Sequence, residues 1–197
     1  MEIKNLFNLK GRTALVTGGS QGIGKAISLA LAEYGANVVV NYRSGKALAE
    51  ETCQEITSMG VNCHLIACDL SDVDSSKNIA RNLADNKLEV DILVLNASVQ
   101  VRKAWDEVTA NEFELQLNTN LRASLFLIQE MYPLMQERKW GRILTIGSVQ
   151  QLRPHQQMIA YAASKVAQVS MVKSLAPQFG PNGVTINNLA PGAIATG

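Results

Sequence analysis

The run TALVTGGSQGIGKAISLALAEYG, Thr13 to Gly35, constrains the fold more than any other stretch. A short Val- and Leu-rich strand pattern leads straight into a glycine-rich turn, TGGSQGIG, and a helical pattern follows up to Gly35. Gly18 and Gly22 let the backbone turn tightly and come close to a pyrophosphate, and Gly24 permits close helix–strand packing. The helix N-terminus then offers unpaired N–H groups and a positive dipole to phosphate oxygens. The spacing is G-x-x-x-G-x-G rather than the commoner G-x-G-x-x-G. Ser20, Gln21 and Ile23 lie in the same turn and join the three glycines as cofactor-binding candidates.

The alternation continues along the chain. Strands are predicted at 13–17, 37–41, 63–67, 92–96, 142–146 and 184–189. They are rich in Val, Ile and Leu with little polar alternation, the pattern of strands covered on both faces. Helices are predicted at 22–34 and 46–59, closed by Gly35 and Gly60 in the position that ends helices, and at 75–85. Thr109 and Glu112 fit a capping box that starts a long fourth helix running through LRASLFLIQEMYPLMQERK. A fifth helix carries Tyr161 and Lys165 and ends near Gly180. The expected fold is a doubly wound α/β parallel sheet with helices on both faces, in one domain over 1–197.

Composition removes other classes. Net charge is +1 and no Lys/Arg block stands out, so no nucleic-acid surface is expected. The apolar runs are too short to span a bilayer, and the N-terminal MEIKNLFNLKGR lacks the apolar centre of a signal peptide. Cys53, Cys63 and Cys68 are odd in number and lack C-x-x-C spacing. They read as reduced core residues of a cytoplasmic protein, with no metal site. His64 lies on a predicted buried strand and reads as structural.

The end of the second strand bears on nucleotide choice. An acidic residue there would bond a ribose 2′-hydroxyl and repel a 2′-phosphate. Here neutral Asn41 is followed by Arg43. A guanidinium holds a phosphate through paired hydrogen bonds, so NADP(H) is favoured, with NAD(H) open. Asn41→Asp is expected to move preference toward NAD(H). After the third strand, Asp69 either accepts from an adenine amino group or caps the turn, with Leu70 beside it.

Tyr161 and Lys165 in YAASK sit one helical turn apart on one face. A phenol titrates at about 10. A cation one turn away favours its anion, which suits a tyrosine to acid/base work.

The set TGGSQGIG, LNAS, NTNL, GS, YAASK and APGAIAT resembles the short-chain dehydrogenase/reductase family, from about Leu9 to the last residue. The resemblance implies a Rossmann fold, NAD(P) and interconversion of an alcohol and a ketone. It places Ser148, Tyr161 and Lys165 in the catalytic triad and Asn120 as the fourth catalytic residue. Ser148 follows Asn120 by 28 positions and Tyr161 follows Ser148 by 13, as in the family. In that scheme Tyr161 is the acid/base, and Ser148 hydrogen-bonds the reacting oxygen. Lys165 serves the phenol and the nicotinamide ribose, and Asn120 supports a water that reaches the lysine. Asn96, Ala97, Pro191, Gly192, Ile194 and Thr196 are the remaining cofactor positions.

Three departures stand out. Ser98 replaces a glycine after the fourth strand; it is strained if the position needs positive φ, and otherwise its hydroxyl is available for a contact. Pro177 is expected to shorten or kink the fifth helix. The chain stops where the family continues into a substrate lid, another helix and an edge strand, so an incomplete C-terminus is expected. Gln150, Arg102, Arg153 and His155, with Ser148, are the substrate candidates, in loops that also carry Gln100 and Gln151. They suit a hydroxylated or anionic small molecule. The opening and the SVQVRK loop look most like gluconate 5-dehydrogenase-like members, and the alternative is a 3-oxoacyl-acyl-carrier-protein reductase. An alternative of another class, a catalytically silent NADP-binding regulator or scaffold, is set against by the intact catalytic set. The family's habit implies a homodimer or homotetramer through the two long helices.

Overall fold

The computed structural model describes residues 7–195. Six strands, β1 (Thr13–Thr17), β2 (Asn37–Tyr42), β3 (Cys63–Ala67), β4 (Ile92–Leu95), β5 (Gly141–Ile146) and β6 (Val184–Leu189), form one sheet. Every pairing is parallel and the order is β3-β2-β1-β4-β5-β6. The chain therefore winds outward from β1 to one edge, returns, and winds from β4 to the other. A cleft opens where the direction reverses, beyond the C-terminal ends of β1 and β4.

Alternate residues on β1 to β5 supply two cores, and β6 gives Val184 and Ile186 to the first of them. Leu15, Val39, Leu93 and Ile143 face α3 (Ser75–Asp85), α5 (Ala123–Glu137) and α6 (Ile159–Phe179), meeting Leu83, Leu127, Met135 and Val172. Ala14, Val16, Val38, Val40 and Val94 face the other way, toward α1 (Gly22–Glu33) and α2 (Lys46–Ser58), whose Ala32 and Ile56 are buried against them. The period-2 geometry of a strand divides one apolar run between two layers.

Gly35 and Gly60 adopt φ of +94° and +85° just past α1 and α2, as the sequence predicts. Thr109 and Glu112 form the capping box of α4 (Ala110–Leu117), and a salt bridge from Lys103 and the Thr109 bonds hold the Glu112 carboxyl down at about 2. The expected fourth helix does run on without a break, from α4 into α5, with one π turn at Asn118–Arg122 set into it. Pro177 does not end α6, which continues to Phe179. Gly180 has ordinary helical φ, and the left-handed residue that ends this region is Gly183.

The cysteine reading needs correction. Cys53 on α2 and Cys63 at the start of β3 form a disulfide, with Cα atoms 5.5 Å apart. The short connection after α2 folds the chain straight back beside its own helix, so two residues ten apart meet. Cys68 is a free thiol, half-buried, and burial pushes it up from its ordinary value. His64 Nε2 bonds Asn82 Oδ1 at 2.8 Å and joins β3 to α3. Among the described residues no helix is long and apolar enough to cross a membrane, and no metal-ligating cluster occurs.

Candidate active site

The glycine turn is shaped by what surrounds it. Gly18 has φ +60°. A Cβ on Gly24 would lie 2.0 Å from the Gly18 carbonyl oxygen and 2.5 Å from Asn96 Nδ2, so no side chain fits there. Asn96 closes the turn from β4, its amide donating to the Thr17 and Gly18 carbonyls at 2.9 and 3.2 Å. Thr17 Oγ1 accepts from the Asn96 and Ala97 N–H groups. Thr52 on α2 donates to the Ser20 carbonyl and holds the outer side of the turn. The first turn of α1 has no side-chain cap and no acidic residue, which leaves its N–H groups for an anion.

A cleft of about 510 Å³ lies over this turn. Gly18, Ser20, Gln21, Gly22, Ile23, Gly24, Asn41, Arg43, Asp69, Leu70, Asn96, Ala97 and Tyr161 all line it. Tyr42, Ser44, Cys68, Val99 and Thr119 line it too and were not singled out in the sequence. Among the described residues the buried side-chain oxygen without a partner is Thr119 Oγ1, a polar group on the cleft wall. An uncapped helix start, a turn only glycine can make, an exposed arginine and an unpaired hydroxyl are a donor set that fits a dinucleotide. A larger cleft, about 560 Å³, lies at the opposite end of β1 and β2 beside Lys10, Gly35 and Gly60, and none of the candidate residues reaches it.

One reading of the cleft residues changes, and one that was open narrows. Asn41 is buried, and its amide donates to the Ile66 and Cys68 carbonyls at 3.2 and 3.1 Å. Its side chain ties β2 to β3 rather than reaching a ribose. Asn41→Asp is therefore expected to destabilise the fold, because a carboxylate would face two carbonyl oxygens with no proton to donate. The loss should be roughly 3 kcal/mol, from a buried charge without a partner and two lost hydrogen bonds. A lowered denaturant midpoint checks it; an unchanged midpoint with a switch toward NAD(H) would restore the simpler view. Asp69 caps its own turn, accepting from the Ser71 N–H and Oγ at 2.8 Å each. Arg43 is exposed and makes no ion pair among the described residues.

The four residues of the catalytic set come from three places. Asn120 lies in the π turn, Ser148 follows β5, and Tyr161 and Lys165 lie in the first turns of α6. Gln150 N–H donates to Ser148 Oγ at 3.2 Å. The serine thus caps a turn with its oxygen, and its own proton stays available to donate. Lys165 Nζ sits 5.6 Å from the Tyr161 ring centre. The lysine is 1% exposed, and burial lowers it from an ordinary 10.5 to about 8. Asn120 is fully buried: Oδ1 accepts from Val99 N–H and Ser98 Oγ, and Nδ2 donates to the Val99 carbonyl and Ser164 Oγ. Ser164 in turn donates to the Tyr161 carbonyl at 2.7 Å. Ser98 has no positive φ, so the strained alternative is ruled out; its hydroxyl contacts Asn120.

Of the substrate candidates, three meet. Arg102 Nη2 lies 3.3 Å from His155 Nε2, and Gln150 Oε1 accepts from the His155 N–H. Gln157 N–H donates to His155 Nδ1, and Gln157 Oε1 accepts from Arg102 Nε at 3.1 Å, so a guanidinium and an imidazole sit side by side. Arg153 is exposed and does not join them. Pro191 reaches the Ser148 turn only through its carbonyl, which accepts from Val149 N–H. Gly192 and Ile194 do not line the cleft, and Thr196 lies outside the described residues.

Comparison with known proteins places this geometry. Residues 12–197 match the short chain dehydrogenase family. The whole chain aligns with 75% of a 3-oxoacyl (acyl-carrier-protein) reductase from Agrobacterium tumefaciens C58 crystallised with NADP, at 39% identity and TM-score 0.94. A crystal structure from Beutenbergia cavernae, described as an NAD(P) dependent gluconate 5-dehydrogenase with NADP at low occupancy, aligns at 36% identity and TM-score 0.90, over 96% of this chain and 75% of that one. The hydroxynaphthalene reductase-like protein Arp2 of Metarhizium guizhouense is 35% identical over 190 residues, 96% of this chain and 70% of that protein. With a sheet of this order and a family match that starts at β1, the chain belongs to the short-chain dehydrogenase family.

Proposed function

We propose that the protein is an NADP(H)-dependent oxidoreductase that interconverts a secondary alcohol and a ketone, with Tyr161 as the acid/base. The observation that carries this is the Tyr161–Lys165 pair, a phenol on the cleft wall with a buried ammonium beneath its ring. The bound nicotinamide supplies hydride transfer. Tyr161 gives its proton to the carbonyl oxygen in reduction and takes one from the alcohol in oxidation. Ser148 donates its free proton to the same oxygen and holds the charge that develops there. Lys165 favours the phenolate and serves the nicotinamide ribose. The α1 N-terminus and Arg43 hold the phosphates, and Pro191, Gly192, Ile194 and Thr196 serve the nicotinamide side.

Arg43 gives the cofactor reading its own test. Arg43→Ala is expected to weaken NADP(H) by roughly tenfold or more, the worth of a charge-assisted hydrogen bond, and NAD(H) hardly at all. Equal losses in the two titrations would show that Arg43 does not read the 2′-phosphate.

The substrate reading is a sugar acid or polyol. The neighbouring Arg102 and His155 support it, since a guanidinium beside an imidazole suits a carboxylate or hydroxyl group. The gluconate 5-dehydrogenase likeness supports it too. A second reading, a 3-oxoacyl thioester, is favoured by an apolar cleft of about 390 Å³ beside His155, Ile159 and Val166 that suits an acyl chain. Turnover of NADPH and NADH over keto-sugar acids, ketoses and 3-oxoacyl thioesters separates them. Preference for the thioesters would overturn the first reading. NADPH binding with no turnover of any ketone would favour a silent NADP-binding regulator. Assembly as a homodimer or homotetramer through the long helices belongs to the same proposal, supported by exposed Phe113, Phe126 and Val166 on α4, α5 and α6.

A further inference from the structure

Lys165 holds its charge almost out of reach of water, so what holds the ammonium matters. Its Nζ donates to the Ile146 carbonyl at 2.8 Å and to Gln168 Oε1 at 3.3 Å. Gln168 is also 1% exposed and lies three residues along α6, on the same face. An ammonium can only donate, so the amide oxygen must face Lys165 and the NH₂ must face away. On that side Nε2 donates to the Asn120 carbonyl at 2.6 Å and to Ser124 Oγ at 3.1 Å. Ser124 Oγ donates to the same Asn120 carbonyl at 3.0 Å. Both lone pairs of that carbonyl are thus taken by side chains, and both amide protons of Gln168 are used.

We propose that Gln168 is a positioning residue of the acid/base site, its amide bridging the Asn120 carbonyl in the π turn to the Lys165 ammonium and so fixing the lysine beneath Tyr161. This rests on the reading of Tyr161 and Lys165 given above. The link expected of a water between Asn120 and the lysine is made here by a side chain. A side chain packed on α6 cannot drift as a water can, so the cation stays in one place while the cleft fills and empties. The neighbours of Lys165 add no other charge. Tyr161 is the titratable group on its own helix, and β5, the π turn and α5 present the Ile146 carbonyl, Asn120 and Ser124. Burial alone accounts for the lysine's lowered value.

Two variants pull the lysine in opposite directions. Gln168→Met keeps length and volume but removes the acceptor, so the ammonium is less favoured. Gln168→Glu keeps an acceptor and adds a negative charge, so the ammonium is more favoured. The pH profile of kcat/KM for NADPH-dependent reduction reads the result. The limb that follows the lysine's charge should move to lower pH in Gln168→Met and to higher pH in Gln168→Glu. Gln168→Met should also lose roughly tenfold in kcat, as expected for losing a hydrogen bond to a charged group. A residue that only packs would lower thermal stability and leave both profiles where they were, and that outcome overturns the proposal. A third measurement needs neither variant nor substrate. In the unmodified protein, the side-chain amide protons of Gln168 should exchange with solvent slowly in ¹⁵N-edited spectra, and their shifts should follow the titration of Lys165. Fast exchange like that of a surface glutamine overturns the bridge even if turnover is found. Slow, lysine-linked exchange without turnover would leave the bridge standing and remove only the proposed reaction.

Discussion

Tyr161→Phe is expected to lower the rate of hydride transfer by roughly 10²- to 10⁴-fold, the usual worth of a positioned general acid or base. NADP(H) affinity should stay within about threefold, a change below 1 kcal/mol. The ring borders the cleft, with the Lys165 ammonium 5.6 Å from its centre. Phenylalanine keeps that ring and loses only the hydroxyl. The backbone at this position is held independently, since the Tyr161 carbonyl accepts from Ser164 Oγ, which also accepts from Asn120. The fold of the cleft should therefore not change. Ser148 keeps its proton and its place on the Gln150 N–H, so the substrate oxygen would still be held without being protonated. Cofactor titration and single-turnover hydride transfer, measured side by side, separate binding from chemistry. A variant that keeps more than about a tenth of the rate would assign the proton to another group, because that loss is smaller than a missing general acid normally causes.

The sheet was legible because β1 to β5 are short runs rich in Val, Ile and Leu between helical patterns, as parallel strands covered on both faces are; β6, VTINNL, alternates and leaves one face exposed. The ends of β1, β3 and β6 fall where the apolar runs begin and stop. The capping box at Thr109 and Glu112 was visible because its two residues are local and reciprocal. What escaped was whatever depends on where a side chain turns after the fold is made. The π turn at Asn118–Arg122 sits inside a helix that runs through it, so nothing in NTNLR marks the wider turn. Asn41 was placed at the right strand end, yet its amide turns toward the carbonyls of Ile66 and Cys68 and not into the cleft. The Cys53–Cys63 pair escaped because an odd count speaks against a framework and says nothing about one bridge. Gln168 left one trace, a polar residue three positions from Lys165 on a helix face that had to be buried. Reading it needed the partner helix, and the sheet order supplies that partner only after folding.

The unliganded protein should gain stability as pH rises from about 8 toward 10.5, and Lys165 should be the cause. In the unfolded chain this lysine titrates at its ordinary 10.5; in the folded protein burial lowers it to about 8. Below pH 8 it is protonated in both states, and the full cost of a buried ammonium weighs on the fold. Between the two values the unfolded chain holds the proton and the folded protein does not. Unfolding then takes up a proton, so raising pH favours the folded state. Above 10.5 both are neutral and the effect is complete. Over the window the gain is roughly 3 kcal/mol, at about 1.4 kcal/mol per pH unit. Other lysines and tyrosines titrate in the same range, so the readout is a comparison. Lys165→Met keeps an unbranched apolar stem and has no proton to lose. It leaves Gln168 Oε1 and the Ile146 carbonyl short of a donor, a cost that does not change with pH. Urea midpoints of the two proteins, measured at several points from pH 7.5 to 10.5, should therefore converge or cross, the unmodified protein gaining on the variant throughout. Parallel curves would mean that Lys165 titrates alike in both states, and that its charge is not held in the dry site from which the acid/base proposal draws its force.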